Sequence, residues 1–560
     1  MFCYQCEQTS QLSGCTSFGV CGKDPETAAL QDLLLHASRG ISAYAHRARQ
    51  LGASDVTVDR FVRKALFTTV TNVNFDPQRM QELLVEAGDT LSHARALYLR
   101  AAAARDQIPE PLNGATCWRP ALHTRDSIRD GEKQSLENRL KKLPADSGSL
   151  QEILTYGIKG CAAYAHHAAV LGREEESFFA FMHEALAALE ANLADASALL
   201  ALCLRCGEVN FQVMALLDEA HRQTYGSPQP TAVRIEPRKG KAILVSGHDL
   251  KDLEELLKQT VGTGIAIYTH GEMLPAHGYP QLNKYPHLAG NYGGAWQDQR
   301  TEFADFPGAI LMTTNCIQKP KEDYAGRLFT SGVVAWPDIT HIANHDYAPV
   351  IAAALAAPGF TADGPDTTIL VGFAHEAILS HAATIVSAVQ TGALKHFFVI
   401  GGCDGARFGR NYYTDFATSV PADCVVLTLG CGKYRFNKQQ FGDIGGIPRL
   451  LDCGQCNDAY SAIKVALTLA DAFKCGVNDL PLSLIISWYE QKAVAVLLTL
   501  LHLGVKNVRL GPALPAFISP GVMDILAKEF GLRGITTATK DLADCLAKNE
   551  ATERADQALI

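Results

Sequence analysis

Cys3, Cys6, Cys15 and Cys21 form a C-x2-C-x8-C-x5-C set inside the first 21 residues. Four thiolates this close in sequence are soft ligands, suited to an iron–sulfur cluster or to zinc. Ser10, Ser13, Gly14 and Gly19 between them, with Gly22 just beyond, let a short loop fold around a metal. The spacing is neither the usual ferredoxin run nor a common zinc-finger pattern. It points to a metal site, iron–sulfur ahead of zinc, with chemistry elsewhere in the chain to decide.

That chemistry lies in the second half. Short apolar, β-rich runs occur at 242–246, 264–268, 309–313, 368–372, 397–400, 424–429, 482–487 and 507–510. Open α/β sheets bind ligands just outside the carboxyl ends of their strands. His248 follows the first run, Glu272 the second and Cys316 the third. Cys403 follows the fifth within Gly401-Gly402-Cys403-Asp404-Gly405, Cys431 the sixth within Gly430-Cys431-Gly432, and Glu490 the seventh. Cys453 and Cys456 open a helix. A lone His or Glu in a loop is usually a cap or a solvated residue, but seven soft or oxygen ligands, most of them a few residues past a strand end, would converge on one crevice. A cubane wants four thiolates, whereas imidazole and carboxylates suit iron open to oxygen ligands. The expectation is a mixed-ligand cluster with substrate-accessible iron.

The elements that must position these residues fall into two textures. From about residue 24 to 225 the chain is Ala-rich and helical, and it repeats: Gly40-Ile41-Ser42-Ala43-Tyr44-Ala45-His46 matches Gly160-Cys161-Ala162-Ala163-Tyr164-Ala165-His166, an offset of 120 residues. Two tandem helical bundles are expected. After Pro228-Gln229-Pro230, strands alternate with helices, the pattern of βαβ units and mostly parallel sheets. The run PGFTADGP at 358–365 divides two α/β domains. The expected organisation is a multidomain chain: an all-α region over 1–226, then Rossmann-like α/β domains over 227–362 and 363–560, with the mixed cluster between domains.

Composition bounds the rest. Sixteen cysteines in a chain without a recognisable export signal argue for metal or redox chemistry over a disulfide framework, against the bland alternative of buried structural thiols. Net charge is −9 with Lys and Arg scattered, unlike a nucleic-acid binder. The longest apolar stretches, such as 493–503, fall short of a membrane span. A cytoplasmic protein with no membrane or nucleic-acid partner is expected.

Over essentially its whole length the chain resembles the hybrid-cluster (prismane) protein family. The match is carried by Cys3–Cys21 and by GHDL at 247–250, THGEMLP at 269–275, TNC at 314–316, GGCDG at 401–405, LGCGKY at 429–434, CGQC at 453–456 and WYEQK at 488–492. The resemblance implies that His248, Glu272, Cys316, Cys403, Cys431, Cys456 and Glu490 bind a hybrid [4Fe–2O–2S] cluster, with Cys403 carried as a persulfide in oxidised forms. Cys453 is then not a ligand. The spacing of Cys3, Cys6, Cys15 and Cys21 resembles the branch with a [4Fe–4S] cubane, typical of anaerobes. An oxidoreductase follows, reducing hydroxylamine to ammonia and water, or nitric oxide to nitrous oxide, with electrons from an unidentified donor protein, acting as a monomer and linked to nitrosative stress. Catalytic roles fall to Glu272, Glu490, Lys492 and Cys403, with His270 a further proton-delivery candidate. The rivals are a nitric-oxide-responsive nitrosyl transferase using Cys403, a nickel–iron carbon monoxide dehydrogenase-like enzyme, and a zinc-stabilised scaffold.

Other motifs read as structural. Cys203 and Cys206 lie in a Leu-rich helical stretch and favour core packing. Cys117, Cys161, Cys424, Cys475 and Cys545 default to structural. Tyr44, Tyr164, His46 and His166 are expected to pack the bundles, and Trp296, Trp488 and Tyr489 to fill space near the clusters.

Overall fold

The computed structural model describes residues 1–557, with side chains described up to residue 547. Three helices form the first repeat, Pro25–Gln50, Val56–Thr68 and Pro77–Ala103. Their starts are set locally: Asp24, Asp55 and Asp76 accept hydrogen bonds from backbone N–H groups of the first turns, and Pro25 and Pro77 take the first helical positions. Ala145–Val170, Glu176–Glu190 and Ala196–Tyr225 form the second repeat. The copies interlock: the middle helix of each packs on the first helix of the other, and one apolar core runs through both.

Both repeats use glycine where another chain segment crosses. A Cβ on Gly40 would lie 2.4 Å from Ala115 O, and one on Gly160 would lie 2.3 Å from Gln491 O. The second crossing joins the helical region to the helix Gln491–His502, which packs on Ala145–Val170 and Ala196–Tyr225. Ala196–Tyr225 is long and apolar enough by composition to cross a bilayer, which no stretch of the sequence was expected to be. Here its Leu199, Val209, Val213 and Leu217 sit in the shared core.

The second region opens with β1 (Thr231–Arg234) and continues with β2 (Lys241–Ser246), β3 (Ile265–His270), β4 (Leu288–Asn291), β5 (Ala309–Met312), β6 (Leu328–Ser331) and β7 (Thr340–Ile342). The last six form one parallel sheet ordered β4-β3-β2-β5-β6-β7. β8 (Thr368–Val371) turns back to pair antiparallel with β1, so the run at 368–372 makes a two-stranded tie outside the main sheets. The third region contains β9 (His396–Gly402), β10 (Cys424–Thr428), the hairpin β11 (Asp443–Ile444) and β12 (Ile447–Pro448), β13 (Leu450–Asp452), β14 (Leu482–Ser487), β15 (Arg509–Gly511) and β16 (Arg533–Gly534). Its parallel sheet is ordered β13-β10-β9-β14-β15-β16.

Both sheets reverse their strand order once, between β2 and β5 and between β9 and β14. Connections leave such a point in opposite directions and open a crevice at the carboxyl edge. The loops after β2 and β5 carry His248 and Cys316. Those after β9 and β14 carry Cys403 and Glu490.

Candidate metal centre

The amino-terminal loop is shaped around its sulfurs. Cys3 and Cys15 pair across an isolated antiparallel bridge, and the Ser10 N–H points at Cys15 Sγ from 3.4 Å. Backbone N–H groups of Gln8 and Lys23 donate to Cys6 and Cys21. Burial pushes the Cys6 thiol well up, and the three neighbouring thiols Cys21, Cys3 and Cys15 push it further. Burial works against the Lys23 ammonium, but Cys3, Cys21, Asp32 and Cys6 outweigh it and its pKa rises. A Cβ on Gly19 would lie 3.1 Å from Cys21 Sγ, so the loop closes tightly over that sulfur. N–H donors and a buried cation around four thiols are what an anionic thiolate set requires. Among the described residues these four sulfurs do not crowd within 4.8 Å of one another as a different trio does.

The tight trio is His248, Glu272 and Cys456, with ligand atoms all within 4.8 Å of one another. It joins the loops after β2 and β3 to the turn after β13. Glu272 accepts the Cys456 N–H at 2.7 Å, and Gln455 donates to the backbone carbonyls of both His248 and Glu272. Lys492 closes the far side. Its Nζ lies 2.9 Å from His248 Nε2 and from Asn315 Oδ1, and 3.5 Å from Glu490 Oε1. Burial opposes its charge, but Cys456, Glu490 and Cys316 outweigh burial and its pKa rises. Burial also raises Glu490, with Lys492 pulling the other way, and lifts the Cys456 thiol to about 12. His248 falls well below its ordinary value, first from burial and then from Lys492, leaving a neutral ring with Nδ1 beside Thr314 Oγ1.

Cys316, Cys403 and Cys431 complete the wall. Cys316 adopts φ +77°, a left-handed backbone that L-residues rarely take, and Asn315 donates to its sulfur at 3.3 Å. Cys403 and Cys431 follow glycines that bring strand ends together: a Cβ on Gly402 would lie 2.2 Å from Ser487 O, and one on Gly430 2.4 Å from Gly402 O. Burial, with charge from Glu272 and Cys316, raises the Cys431 thiol, while the Trp296 N–H opposes it. Three carboxylate or imidazole groups cannot fill a cubane's thiolate corners, so this donor set fits a cluster with mixed sulfur, nitrogen and oxygen ligands.

Other candidates sort by contact. His270 is tied to Ser246 and Glu302, 2.9 and 2.8 Å away, away from the trio. Cys453 is buried with its sulfur 3.9 Å from Leu451 O. Cys203 and Cys206 lie in the shared core, whereas Cys117 is exposed. Trp488 donates to Ala513 O and packs on Phe517, as filler. Trp296 and Tyr489 stack with centroids 4.5 Å apart in an apolar cluster that also holds Cys6, Cys431, Cys316 and Cys403, so they bridge the two thiol sets. Tyr164 departs from its expected packing role: its buried hydroxyl lies beside the Cys456 sulfur, within reach of a hydrogen bond to it. Its place in the repeat hid this, since the equivalent Tyr44 packs on Tyr98. His167, whose ring stacks on His248 at 6.0 Å, carried no signal beyond its neighbour His166.

An apolar cavity of about 90 Å3 ends on Tyr164, Cys403 and Cys456 and is walled by side chains such as Leu429, Ile463, Leu484 and Leu497.

Fold and site together define an α-helical region joined to two parallel-sheet domains around a crevice of soft and oxygen ligands. The chain belongs to the Prismane/CO dehydrogenase family, whose sequence model matches residues 1–543. It is 58% identical over 543 residues to a protein of Rhodospirillum rubrum named hydroxylamine reductase, covering 97% of this chain and 99% of that one. It is 54% identical over 550 residues to a protein of the same name from Geobacter metallireducens, covering 98% and 100%. Among solved structures it is similar in fold to carbon monoxide dehydrogenase IV from Carboxydothermus hydrogenoformans, with a TM-score of 0.56 at 17% identity, covering 97% of this chain and 90% of that one.

Proposed function

We propose that the chain is a hydroxylamine reductase, an iron–sulfur oxidoreductase that converts hydroxylamine, two electrons and two protons to ammonia and water. The observation that carries this reading is the buried meeting of His248, Glu272 and Cys456 with Lys492 at the facing strand ends. Relatives more than half identical over nearly the whole length bear the corresponding name. Cys3, Cys6, Cys15 and Cys21 would hold a [4Fe–4S] cluster. His248, Glu272, Cys316, Cys403, Cys431, Cys456 and Glu490 would hold a hybrid [4Fe–2O–2S] cluster, with Cys403 as persulfide in oxidised forms. When bound, these clusters supply the electron storage and transfer that the reaction needs.

The chain's own groups do the rest. Lys492 keeps its proton at Nζ and offsets the charge of Cys456, Glu490 and Cys316. Lys492, the non-ligand whose Nζ reaches both His248 and Glu490, is the group placed to deliver a proton, with Glu272 orienting Cys456 through its N–H. Thr314 fixes the His248 ring. Trp296 and Tyr489 fill the space between the thiol sets and exclude water.

One observation favours a second substrate at the same site. The cavity reaching Cys403 and Cys456 is almost wholly apolar, which suits an uncharged gas such as nitric oxide better than hydroxylamine, whose hydrogen bonds would go unmet there.

The test is iron, nickel and acid-labile sulfide on protein purified without oxygen, followed by hydroxylamine turnover with a reduced dye. About eight iron, no nickel and ammonia produced is the expected result. About four iron or fewer would overturn the second cluster. About eight iron without ammonia, but with nitrous oxide from nitric oxide, would move the substrate to the gas. Nickel would move the reading to the dehydrogenase-like rival.

A further inference from the structure

Beside the amino-terminal thiols lies a surface cleft bordered by Cys21, Trp296, Arg300, Lys319, Arg407 and Phe408. Two features set it apart. Its lining contains three cationic side chains and no Asp or Glu, on a chain whose net charge is −9. Arg407 is held by Glu7 at 3.0 Å, but Arg300 and Lys319 have no ion-pair partner among the described residues. The neighbouring acids Glu322 and Asp323 border a separate hollow next to Arg300, Lys319 and Lys321.

The second feature is apolar. Phe408 is 99% exposed, and Phe18 and Val20, on the loop that carries Cys21, are each 60% exposed. Large side chains in water beside a cation-rimmed cleft are the anatomy of a transient protein interface: apolar contacts at the centre, charges around them to steer the encounter. The cleft reaches the metal loop itself. A Cβ on Gly22 would lie 3.8 Å from Lys319 Cβ, so this lysine stands over the residue following Cys21.

We propose that this cleft docks a small acidic iron–sulfur electron carrier, seated on Phe408, Phe18 and Val20 and steered by Arg300, Lys319 and Arg407. The proposal rests on the reading of Cys3, Cys6, Cys15 and Cys21 as an electron-accepting cluster site. Each encounter passes one electron, leaving the carrier oxidised by one. Two encounters provide the electron pair that, with two protons, divides hydroxylamine into ammonia and water. A short cationic rim with aromatic contacts suits a compact acidic protein; three cations on a net-negative chain are too few to hold nucleic acid.

The experiment uses the full, cluster-loaded chain and a purified acidic 2[4Fe–4S] ferredoxin as probe. Binding is followed by calorimetric titration at low and high salt, and contacts by carbodiimide cross-linking read by mass spectrometry. Wild type is expected to bind with an affinity that falls as salt rises, and Lys319 to cross-link to ferredoxin carboxylates. Arg300→Glu with Lys319→Glu should weaken binding roughly tenfold or more, and Phe408→Ser should weaken it without changing the salt dependence. Reduced methyl viologen needs no docking, so its turnover should be equal in all variants and shows that they are folded. Unchanged binding in both variants, or cross-links that map to another face, would overturn the proposal. Absence of dye-driven ammonia formation in wild type would strike the reductase reading alone, since binding is measured apart from turnover.

Discussion

Lys492 Nζ touches His248, Asn315 and Glu490 inside a buried pocket. Removing one partner of such a pair strands the other, at a cost of about 3–5 kcal/mol. Lys492→Met should therefore destabilise the metal-free chain in urea, and adding Glu490→Gln should restore part of the loss, a coupling readable in a double-mutant cycle. Additive effects would mean the two groups do not act as a pair. Glu272→Ala, which removes the acceptor of the Cys456 N–H and a ligand proposed for the hybrid cluster, should cut iron from about eight to about four per chain and leave the amino-terminal set loaded. A second residue-scale effect comes from thiols outside the metal sites. Burial raises Cys161 and Cys206 strongly and lifts Cys203 to about 12. Their folded values exceed their unfolded ones, so the stability they contribute is complete below about pH 8.5 and is lost as pH climbs toward their folded values. Urea midpoints of the metal-free chain between pH 8 and 11 should fall less steeply in Cys203→Ala than in wild type. That His248, Glu272 and Cys456 meet was legible in the sequence, because Cys, His and Glu past strand ends are rare company. Thr314, Asn315, Gln455 and Tyr164 were not, because ordinary polar residues gain their roles only from burial against a particular neighbour.

At the scale of elements, every strand expected from an apolar run is found within a few residues; for all but the antiparallel β8, the reason is that buried parallel strands are written as continuous Val-, Ile- and Leu-rich stretches. β4, β6, β7 and β16 (LAGN, LFTS, THI and RG) were not expected, because Gly, Asn, Ser, Thr, His and Arg interrupt their apolar pattern. The repeat was legible, but not the exchange of helices between its copies, since a repeated pattern specifies a face and not the partner that covers it. The seam on the Gln491–His502 helix is testable. A Cβ on Gly207 would lie 2.0 Å from Leu498 O. Gly207→Ala should cost about 1–3 kcal/mol through overpacking and displace the turn holding Glu490 and Lys492. Denaturant unfolding and iron content should fall together, whereas a stable variant with full iron would show that the seam does not position the site.

For the whole molecule, the crevice of candidate ligands takes its residues from the strand ends of both sheets, with positions running from His248 to Glu490. A group bound there ties the two α/β domains to each other, and binding free energy becomes folding free energy. Anaerobic removal of iron by a chelator should lower the melting temperature and speed proteolysis between β7 and β9. Equal melting temperatures with and without iron would mean that the domains are held by their own contacts. Sequence alone pointed to a shared crevice but not to its geometry: the order reversals at β2/β5 and β9/β14 are properties of strand order, which local patterns do not encode.

The amino-terminal loop is held by partners far along the chain: Glu7 N–H donates to Tyr489 O, Gln491 donates to Gln5 O, and Arg410 pairs with Glu7. During synthesis these partners emerge roughly 400–480 residues later, a wait of roughly 20–100 s at ribosomal speeds of about 5–20 residues per second. Throughout that interval Cys3, Cys6, Cys15 and Cys21 are newborn thiols without their final walls, open to oxidation and to the wrong metal. The loop is therefore made long before its walls, and the cluster loading proposed for it would depend on timing in the cell as much as on the affinity of the folded protein.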